Sequence, residues 1–335
     1  MLQSTCYLGG TNETGFFPVS VPTGRLHLGN YLGAVKNYVA LQDDYECIYW
    51  RGRPSRPDTL EETATLKENI YEMMLDLLAS GLDPKKCILF VQSQVPEINE
   101  LFTLFGMITP LSWLLRVPTF KEKVKMHPDN VNYGLVGYPV LQAADISLYK
   151  ADVVPVGVDQ LPHLELTREI VRRFNEKFGQ TFPEPQARLT NFPTVVGLDG
   201  KDKMSKSLNN HIELALSEEE TAKKVMSAVT DPARQYKTDP GHPDICNVYK
   251  LHNYFSPQAV AQITDDCQNA RIGCVQCKRA LAEAINAYLR PIRAKRSELA
   301  KNPDEIYRIM ADGAERAGVI ARQTLDEVRE KMNLR

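Results

Sequence analysis

The chain reads Pro22-Thr23-Gly24-Arg25-Leu26-His27-Leu28-Gly29-Asn30-Tyr31 between an apolar run and a helix-like segment. The apolar run, Phe16 to Val21, predicts a strand, and Tyr31 to Gln42 has apolar residues at the three- and four-residue spacing of a helix. A glycine-containing turn from strand to helix presents free backbone N–H groups at a helix N-terminus, where phosphate binds well. His27 and Asn30 add side-chain hydrogen bonds to the same phosphates. The stretch therefore predicts a phosphate-binding turn on an α/β fold.

The rest of the N-terminal part alternates helix-like and strand-like segments. Thr65 to Ala79 has one apolar face, and Cys87 to Val91 is a short apolar run suited to a strand covered on both sides. This alternation predicts a parallel sheet. Beyond a boundary near Asn210 the pattern is all-helical, with helices predicted at about 256–270, 274–300, 303–316 and 319–333. We therefore predict two domains, 1–210 and 211–335.

A second polar stretch, Gly200-Lys201-Asp202-Lys203-Met204-Ser205-Lys206-Ser207, places two lysines around a Met-Ser pair. A pyrophosphate leaving group develops negative charge in the transition state. Flexible ammonium groups that reach it only then lower the barrier selectively. Lys203 and Lys206 are therefore candidate catalytic residues, and a solvated basic loop is the alternative interpretation of this stretch alone.

Together the two stretches resemble the signature motifs of class I aminoacyl-tRNA synthetases. His27-Leu28-Gly29-Asn30 matches the His-Ile-Gly-His type, and Lys203 to Ser207 matches the Lys-Met-Ser-Lys-Ser type. Their separation of roughly 175 residues fits a catalytic domain whose crevice loops carry both motifs. The resemblance implies a Rossmann-type doubly wound parallel sheet with a C-terminal all-helical domain that binds the tRNA anticodon. It also implies catalysis by Lys203, Lys206, His27 and Asn30, and ATP contacts from Val21, Pro22, Thr23, Gly29, Asn30, Gly157, Val158, Asp159, Lys203, Met204, Ser205, Lys206 and Ser207.

A third pair of segments points to the amino acid. Tyr138 to Ile146 reads Tyr-Pro-Val-Leu-Gln-Ala-Ala-Asp-Ile, and Val153 to Gln160 ends in Gly-Val-Asp-Gln. The pair resembles the tryptophanyl-tRNA synthetases closely and the tyrosyl enzymes less. An indole N–H is a donor only, so a specific pocket needs a buried acceptor. By this resemblance Asp145 is that acceptor, and tryptophan is bound by Tyr138, Gln142, Asp145 and Gln160. If 139–150 is helical, Gln142 and Asp145 share one face; a structural cap or ion pair is the alternative role for Asp145.

Four of the seven cysteines are clustered, with 20, 6 and 2 residues between Cys246, Cys267, Cys274 and Cys277. A cytosolic protein rarely keeps disulfides, so the spacing favours a thiolate–metal site. Four thiolates suit zinc or a [4Fe–4S] cluster, and sequence chemistry alone favours zinc. Some bacterial tryptophanyl-tRNA synthetases have a similar quartet that binds [4Fe–4S], so the resemblance favours iron–sulfur. Four unrelated thiols are the remaining alternative.

Composition limits the setting and the partners. The chain has 335 residues and a net charge of −2, so nucleic acid must be bound by a local patch, for which 278–301 is the candidate. No apolar run approaches the roughly 20 residues of a membrane span, which predicts a cytoplasmic protein without a membrane partner. The resemblance implies ATP with Mg²⁺, L-tryptophan and tRNA(Trp), and a homodimer whose interface includes an insertion at about 98–124.

Two segments depart from the resembled family. Pro18 to Val21 differs from the family's polar strand end, and the family's Asp-x-His-Ala-Leu/Ile-Thr is absent after the second strand. There the chain has Trp50 to Pro57, rich in arginine and proline, which we expect to weaken the tryptophan pocket. Despite these departures, the resemblance implies a tryptophan–tRNA ligase. It leaves open a catalytically weakened or silent paralogue that binds tRNA or ATP, and a tyrosine-specific synthetase.

Overall fold

The computed structural model describes residues 14–19, 24–51, 64–126, 128–129, 131–189 and 195–335. Its sheet contains the strands β1 (Thr14–Val19), β2 (Glu46–Arg51), β3 (Cys87–Val91), β4 (Val153–Val156) and β5 (Gln186–Leu189). All neighbouring strands run parallel, in the spatial order β3-β2-β1-β4-β5. The order reverses between β1 and β4, the place where doubly wound sheets bind ligands. The predicted Rossmann-type parallel sheet is confirmed.

Helices connect the strands, and the described residues from 195 to 335 add no further strand to the sheet. The first group comprises α1 (Leu28–Asn30), α2 (Lys36–Leu41), α3 (Leu66–Ala79), α4 (Glu97–Ile108), α5 (Leu111–Arg116), α6 (Pro118–Met126), α7 (Tyr133–Leu148) and α8 (Leu161–Phe178). The second group comprises α9 (Glu218–Ser227), α10 (Asn247–Phe255), α11 (Val260–Gln268), α12 (Cys274–Leu299) and α13 (Pro303–Lys331). A wider π-helical turn, Tyr31–Val35, joins α1 to α2, so the predicted helix is continuous there.

Most predicted elements are confirmed, and one is wrong. The helix predicted from Thr65 is α3, and the doubly covered strand is β3, whose residues are all buried. The two helices predicted at 303–316 and 319–333 are instead the single helix α13. The helix continues through its buried glycines, Gly313 and Gly318, because packing along α13 outweighs the low helix propensity of glycine.

Helix α13 crosses the outer edge of the sheet at β3. A Cβ on Gly313 would lie 1.9 Å from the Leu89 carbonyl oxygen, so the helix backbone directly touches the edge strand. Arg316 donates to the carbonyls of Pro84 at 2.9 Å and Cys87 at 3.3 Å. An unpaired strand edge invites unwanted pairing, and here the helix covers it.

Two hydrophobic clusters lie on the two sides of β3. Cys87, Leu89 and Val91 belong to one cluster, which also takes in apolar residues of α3 and α12. Ile88 and Phe90 belong to the other, which takes in residues of α4, α7, α8 and the end of α13. Each cluster therefore combines residues from before and after Asn210. Among the described helices, none is long and apolar enough to cross a membrane.

Candidate active site

The first motif forms a capped helix start in the connection between β1 and α1. Asn30 N donates to His27 Nδ1 at 3.3 Å, and His27 N donates to Asn30 Oδ1 at 3.2 Å. These reciprocal bonds satisfy two of the donors at the start of the helix, as in a capping box. The imidazole Nε2 and the amide Nδ2 are the donors that a phosphate can meet.

His27 is held in its neutral form. The side chain is buried, and burial together with the nearby His211, Lys206 and Lys203 lowers its pKa to about 4. Because Nδ1 accepts from the Asn30 amide, the ring proton lies on Nε2. His27 therefore acts at neutral pH as a hydrogen-bond donor without charge.

The chain after the lysine loop pairs directly with the first motif. Leu28 N donates to Ile212 O at 2.9 Å, and Leu214 N donates to Leu26 O at 2.9 Å. The contact extends to side chains, because a Cβ on Gly29 would lie only 3.2 Å from Met204 Cβ. The structure therefore brings together the two motifs that the sequence separates.

Asn210 shapes the lysine loop from inside. Its Oδ1 accepts from Ser205 N at 2.7 Å, and its Nδ2 donates to Asp199 Oδ2 at 2.5 Å and to Lys203 O at 3.3 Å. Asn210 is almost fully buried, and a Cβ on Gly197 would lie 2.1 Å from its Nδ2. Its importance was not predicted, although it directly follows the motif.

The two motif lysines differ in their surroundings. Lys203 is exposed, whereas Lys206 is half-buried, with its Nζ 3.6 Å from Glu213 Oε1. Burial lowers the pKa of Lys206, while the Glu213 carboxylate opposes that change. His211 Nε2 lies 3.6 Å from the same oxygen. Glu213, which the sequence interpretation missed, therefore holds Lys206 beside the first motif.

Asp145 lies on α7 in a fully buried position. Its two carboxylate oxygens accept from Gln92 Nε2 at 3.0 and 3.1 Å. Burial raises the pKa of Asp145 well above its usual range, and the Gln92 bond only partly offsets this. The predicted helix is confirmed and begins earlier, at Tyr133, so Gln142 and Asp145 share one face. Gln92 was missed, but its place directly after β3 at the carboxyl edge of the sheet is the available signal.

Tyr138 and Gln160 meet through a histidine that was not predicted. His163 Nε2 lies 2.9 Å from the Tyr138 hydroxyl and 2.6 Å from Thr119 Oγ1. His163 Nδ1 lies 3.1 Å from Gln160 Oε1. Because the amide oxygen only accepts, Nδ1 carries the ring proton and Nε2 accepts from a hydroxyl. The network joins α6, α7 and α8 beside β4.

The end of β4 turns into a 3-10 helix, Val158–Gln160, with Gly157 as its N-cap. Val158 is exposed, and Gly157 is half-buried. The side chain of Asp159 lies outside the described part of the chain, as do residues 20–23, including the predicted ATP contacts Val21, Pro22 and Thr23. Of the divergent segment Trp50 to Pro57, the description covers only the backbone at the end of β2.

Comparison with known proteins fits this geometry. Residues 13–290 match the family of tRNA synthetases class I (W and Y). The chain is 40% identical to the tryptophan–tRNA ligase of Aquifex aeolicus, over 93% of this chain and 98% of that one. It is 42% identical to the tryptophan–tRNA ligase of Thermotoga maritima, over 93% of this chain and 97% of that one.

The chain belongs to the tryptophan–tRNA ligase family. A solved structure of the tryptophanyl-tRNA synthetase from Campylobacter jejuni, complexed with ADP and tryptophan, is similar with a TM-score of 0.87 at 33% identity. The match covers 96% of this chain and 100% of that one. Sequence and fold therefore agree on a class I synthetase.

The four cysteines of this synthetase lie on neighbouring elements. Cys246 precedes α10, Cys267 lies in α11, and Cys274 and Cys277 occupy the first turn of α12. Burial, with a smaller contribution from the other three thiols, raises the pKa of Cys277 to about 12. In the described part of the chain, however, no three His, Cys, Asp or Glu side chains stand close enough to hold a metal ion.

The predicted basic patch at 278–301 is partly used inside the protein. Arg293 donates to Leu214 O at 3.0 Å and to Thr221 Oγ1 at 2.7 Å. Arg296 donates to Asp76 Oδ1 at 2.6 Å. These two arginines hold α12 against α9 and α3, and the exposed cations on the same helix, such as Arg279 and Lys295, are the ones that can meet RNA phosphates.

Proposed function

We propose that the chain activates L-tryptophan with ATP and transfers it to tRNA(Trp). A carboxylate oxygen of tryptophan attacks the α-phosphorus, and the bond from that phosphorus to the oxygen shared with the β-phosphorus breaks, releasing pyrophosphate. The 2′-hydroxyl of the terminal tRNA adenosine then attacks the carbonyl carbon, loses its proton, and AMP leaves. The observation that carries the proposal is that the first motif pairs through its backbone with the segment directly after the lysine loop, Leu28 with Ile212 and Leu214 with Leu26, so that Gly29 approaches Met204.

The ATP phosphates occupy the first turn and the lysine loop in this proposal. His27, Gly29 and Asn30 bind from the helix start, and the loop residues Met204, Ser205 and Ser207 place Lys203 and Lys206 at the leaving pyrophosphate. Val21, Pro22, Thr23, Gly157, Val158 and Asp159 complete the predicted nucleotide contacts. Mg²⁺ arrives with ATP and neutralises the β- and γ-phosphates. Because no covalent intermediate is needed, catalysis consists of positioning and charge stabilisation.

The tryptophan pocket in this proposal is built on α7. Asp145 accepts the indole N–H, Gln142 lies on the same helix face, and Tyr138 and Gln160 approach through the His163 network. A buried carboxylate whose donor is the Gln92 amide is chemically suited to a second donor, and indole supplies one. The structure of the Campylobacter relative is complexed with ADP and tryptophan, which supports tryptophan as the amino acid that is bound.

Tryptophan-dependent ATP–pyrophosphate exchange tests the activity, with tyrosine in parallel. We expect exchange with tryptophan and none with tyrosine at the same concentration. Exchange with tyrosine instead of tryptophan would show that tyrosine is the substrate. ATP binding without exchange would identify the silent paralogue. In that case, replacing Arg51 to Pro57 with the family's Asp-x-His-Ala-Leu-Thr segment decides whether the divergent segment is the cause, because activity should then return.

The cysteine quartet is the proposed site of a [4Fe–4S] cluster, with zinc as the alternative. Four thiols are chemically suited to either group, and the cysteines lie on the neighbouring elements α10, α11 and α12. Bound there, the group would act as a staple between Cys246, Cys267 and the start of α12. His252 Nε2, 3.5 Å from Cys277 Sγ, is placed to donate a hydrogen bond to the sulfur.

Metal analysis after purification without oxygen tests the quartet. A [4Fe–4S] cluster gives a brown protein with about four irons per chain. A colourless protein with one zinc per chain would show that the site binds zinc instead. Cys274→Ser should lose the metal, and Cys87→Ser is the matched control because Cys87 lies in β3, outside the quartet.

Loss of metal should weaken tRNA binding and leave pyrophosphate exchange largely intact. Equal loss of both activities would contradict the proposed division into a catalytic region, 1–210, and a tRNA-binding region, 211–335.

The partners proposed for the chain are tRNA(Trp) and a second copy of itself. The predicted insertion at 98–124 forms α4, α5 and most of α6. Exposed apolar side chains cluster there, at Met107, Leu111 and Leu115, and Tyr133 at the start of α7 stands beside them. The Tyr133 ring packs against Phe102 of α4. Several large apolar side chains exposed in one segment of the chain are typical of an interface.

A further inference from the structure

Two carboxylates on α3 lie between the first motif and helix α12. Asp76 Oδ2 accepts from Leu26 N at 2.6 Å, and Asp76 Oδ1 accepts from Arg296 Nε at 2.6 Å. One turn earlier, Glu72 Oε2 accepts from Arg25 Nε at 2.6 Å and also pairs with Arg296. Residues 25 and 26 of the motif are therefore linked through two acids to one arginine of the C-terminal half.

The buried carboxylate needs both of its partners. Asp76 is fully buried, and burial raises its pKa even though Arg296 and the Leu26 amide oppose that effect. A charge in such a place is stable only when it is paired and hydrogen-bonded. If Arg296 is lost, Asp76 must take up a proton or move toward water. Either change weakens or breaks its bond to Leu26 N, because a neutral acceptor is the weaker one.

The bond matters because Leu26 is fixed from both sides. Its N–H is held by Asp76, and its carbonyl accepts from Leu214 N at 2.9 Å. The next residue is His27, the cap of α1. Lys206 belongs to the same neighbourhood, since its Nζ would lie 3.4 Å from a Cβ on Gly24. A shift at Leu26 therefore moves the phosphate-binding turn and its contact with the lysine loop together.

We propose that Asp76 and Arg296 are positioning residues for adenylate formation, which hold the first motif in register with the lysine loop. Neither touches a substrate, and neither lies in a signature motif. Arg296 lies on the same helix as Cys274 and Cys277, 22 residues along α12. The helix that begins with two of the cysteines thus contacts, near its other end, the α3 carboxylates that hold Arg25 and Leu26. The inference rests on the proposed tryptophan activation.

Pyrophosphate-exchange kinetics of Arg296→Gln and Asp76→Asn test the proposal. Losing a hydrogen bond to a charged group should raise the KM for ATP by about 10-fold or more and lower kcat, while the KM for tryptophan stays within about twofold. Arg296→Lys keeps the charge and should recover part of the ATP effect. Arg308→Gln is the matched control, because Arg308 forms an exposed ion pair with Glu305 on α13.

The double variant separates positioning from mere stability. If Arg296 acts through Asp76, the two substitutions together should cost no more than the larger single effect. A purely structural role would lower the melting temperature and the active fraction but leave the KM for ATP at the wild-type value, and that result overturns the proposal. Asp76→Asn is nearly isosteric and decides the matter if Arg296→Gln fails to fold. A wild-type chain without exchange would instead refute the proposed function.

Discussion

At the scale of single residues, the site combines a neutral imidazole with two lysines of unequal burial. His27 is held neutral, Lys206 is held by Glu213, and Lys203 is exposed. In the proposed reaction, Lys206 lies beside the phosphate-binding turn before ATP binds, and Lys203 closes over the leaving pyrophosphate. Charge stabilisation that is complete only in the transition state raises kcat rather than affinity.

Replacing either motif lysine with alanine should therefore act on turnover. We expect Lys203→Ala and Lys206→Ala to lower kcat for pyrophosphate exchange by about 10²–10³, as the loss of one charge-stabilising donor does. The KM for tryptophan should barely change. Lys201→Ala is the control, since Lys201 is exposed in the same loop outside the motif. Normal turnover in both motif variants would refute the clamp.

The buried Asp145 predicts a pH dependence of tryptophan binding. Its raised pKa means that the free pocket retains a proton at higher pH than an ordinary aspartate does. An indole N–H stabilises the charged form and lowers the pKa, so binding releases a proton and tightens as pH rises. Calorimetry in buffers of different ionisation enthalpy should detect that proton with the wild type and not with Asp145→Asn. Tryptophan affinity that does not change with pH would contradict the assignment.

The sequence identified those candidate site residues that belong to short local patterns. His27, Asn30 and the lysines stand in short motifs, and Asp145 stands on a helix with readable periodicity. Gln92 and Asp145 are 53 residues apart, and Asp76 and Arg296 are 220 apart. No spacing rule links such pairs, because the fold alone makes them neighbours. The partners that tune the site were missed for that reason.

At the scale of elements, the periodicity of apolar residues predicted most strands and helices. It did not predict which other elements each of them packs against. The apolar face of α13 shows that it packs against something, not that it crosses the edge of β3. The sequence pattern predicts two helices here, at about 303–316 and 319–333. In the structure, Gly313 allows the backbone of α13 to approach the Leu89 carbonyl. A residue that looks like a helix breaker in the sequence is here a packing requirement.

Gly313→Ala should consequently destabilise the protein. Alanine favours a helix by about 1 kcal/mol over glycine. Here, however, its Cβ would overlap the Leu89 carbonyl, and forced overpacking costs about 1–3 kcal/mol. We therefore expect Gly313→Ala to lower the free energy of unfolding measured in urea. Gly318→Ala on the same helix is the control, because its Cβ would meet the movable end of Arg322 and the change should be neutral or stabilising. Equal behaviour of the two variants would show that the edge contact is not tight.

At the scale of the whole molecule, the two halves of the sequence share their hydrophobic clusters. Ile306 and Met310 of α13 join one cluster, whereas Ala321 and Leu325 join the other. The sequence shows a change from α/β to helical near Asn210. It does not show that the last helix returns to the sheet, because burial by a distant partner leaves no mark on local periodicity. The domain boundary near Asn210, between a catalytic and a tRNA-binding region, stays a prediction.

The surface formed by Met107, Leu111, Leu115 and Tyr133 is the feature that a single chain leaves unexplained. Met107 is 75% exposed and Tyr133 is 73% exposed, which is unusual for large apolar side chains. If this surface joins two copies, the double variant Met107→Glu, Leu111→Glu should be monomeric in light scattering after size exclusion. Burying four extra carboxylates per dimer costs several kcal/mol. Val319→Glu is the control, since Val319 is exposed on α13 away from this surface. A wild-type chain that is monomeric at every concentration tested, or a double variant that remains dimeric, would rule out this surface as the interface.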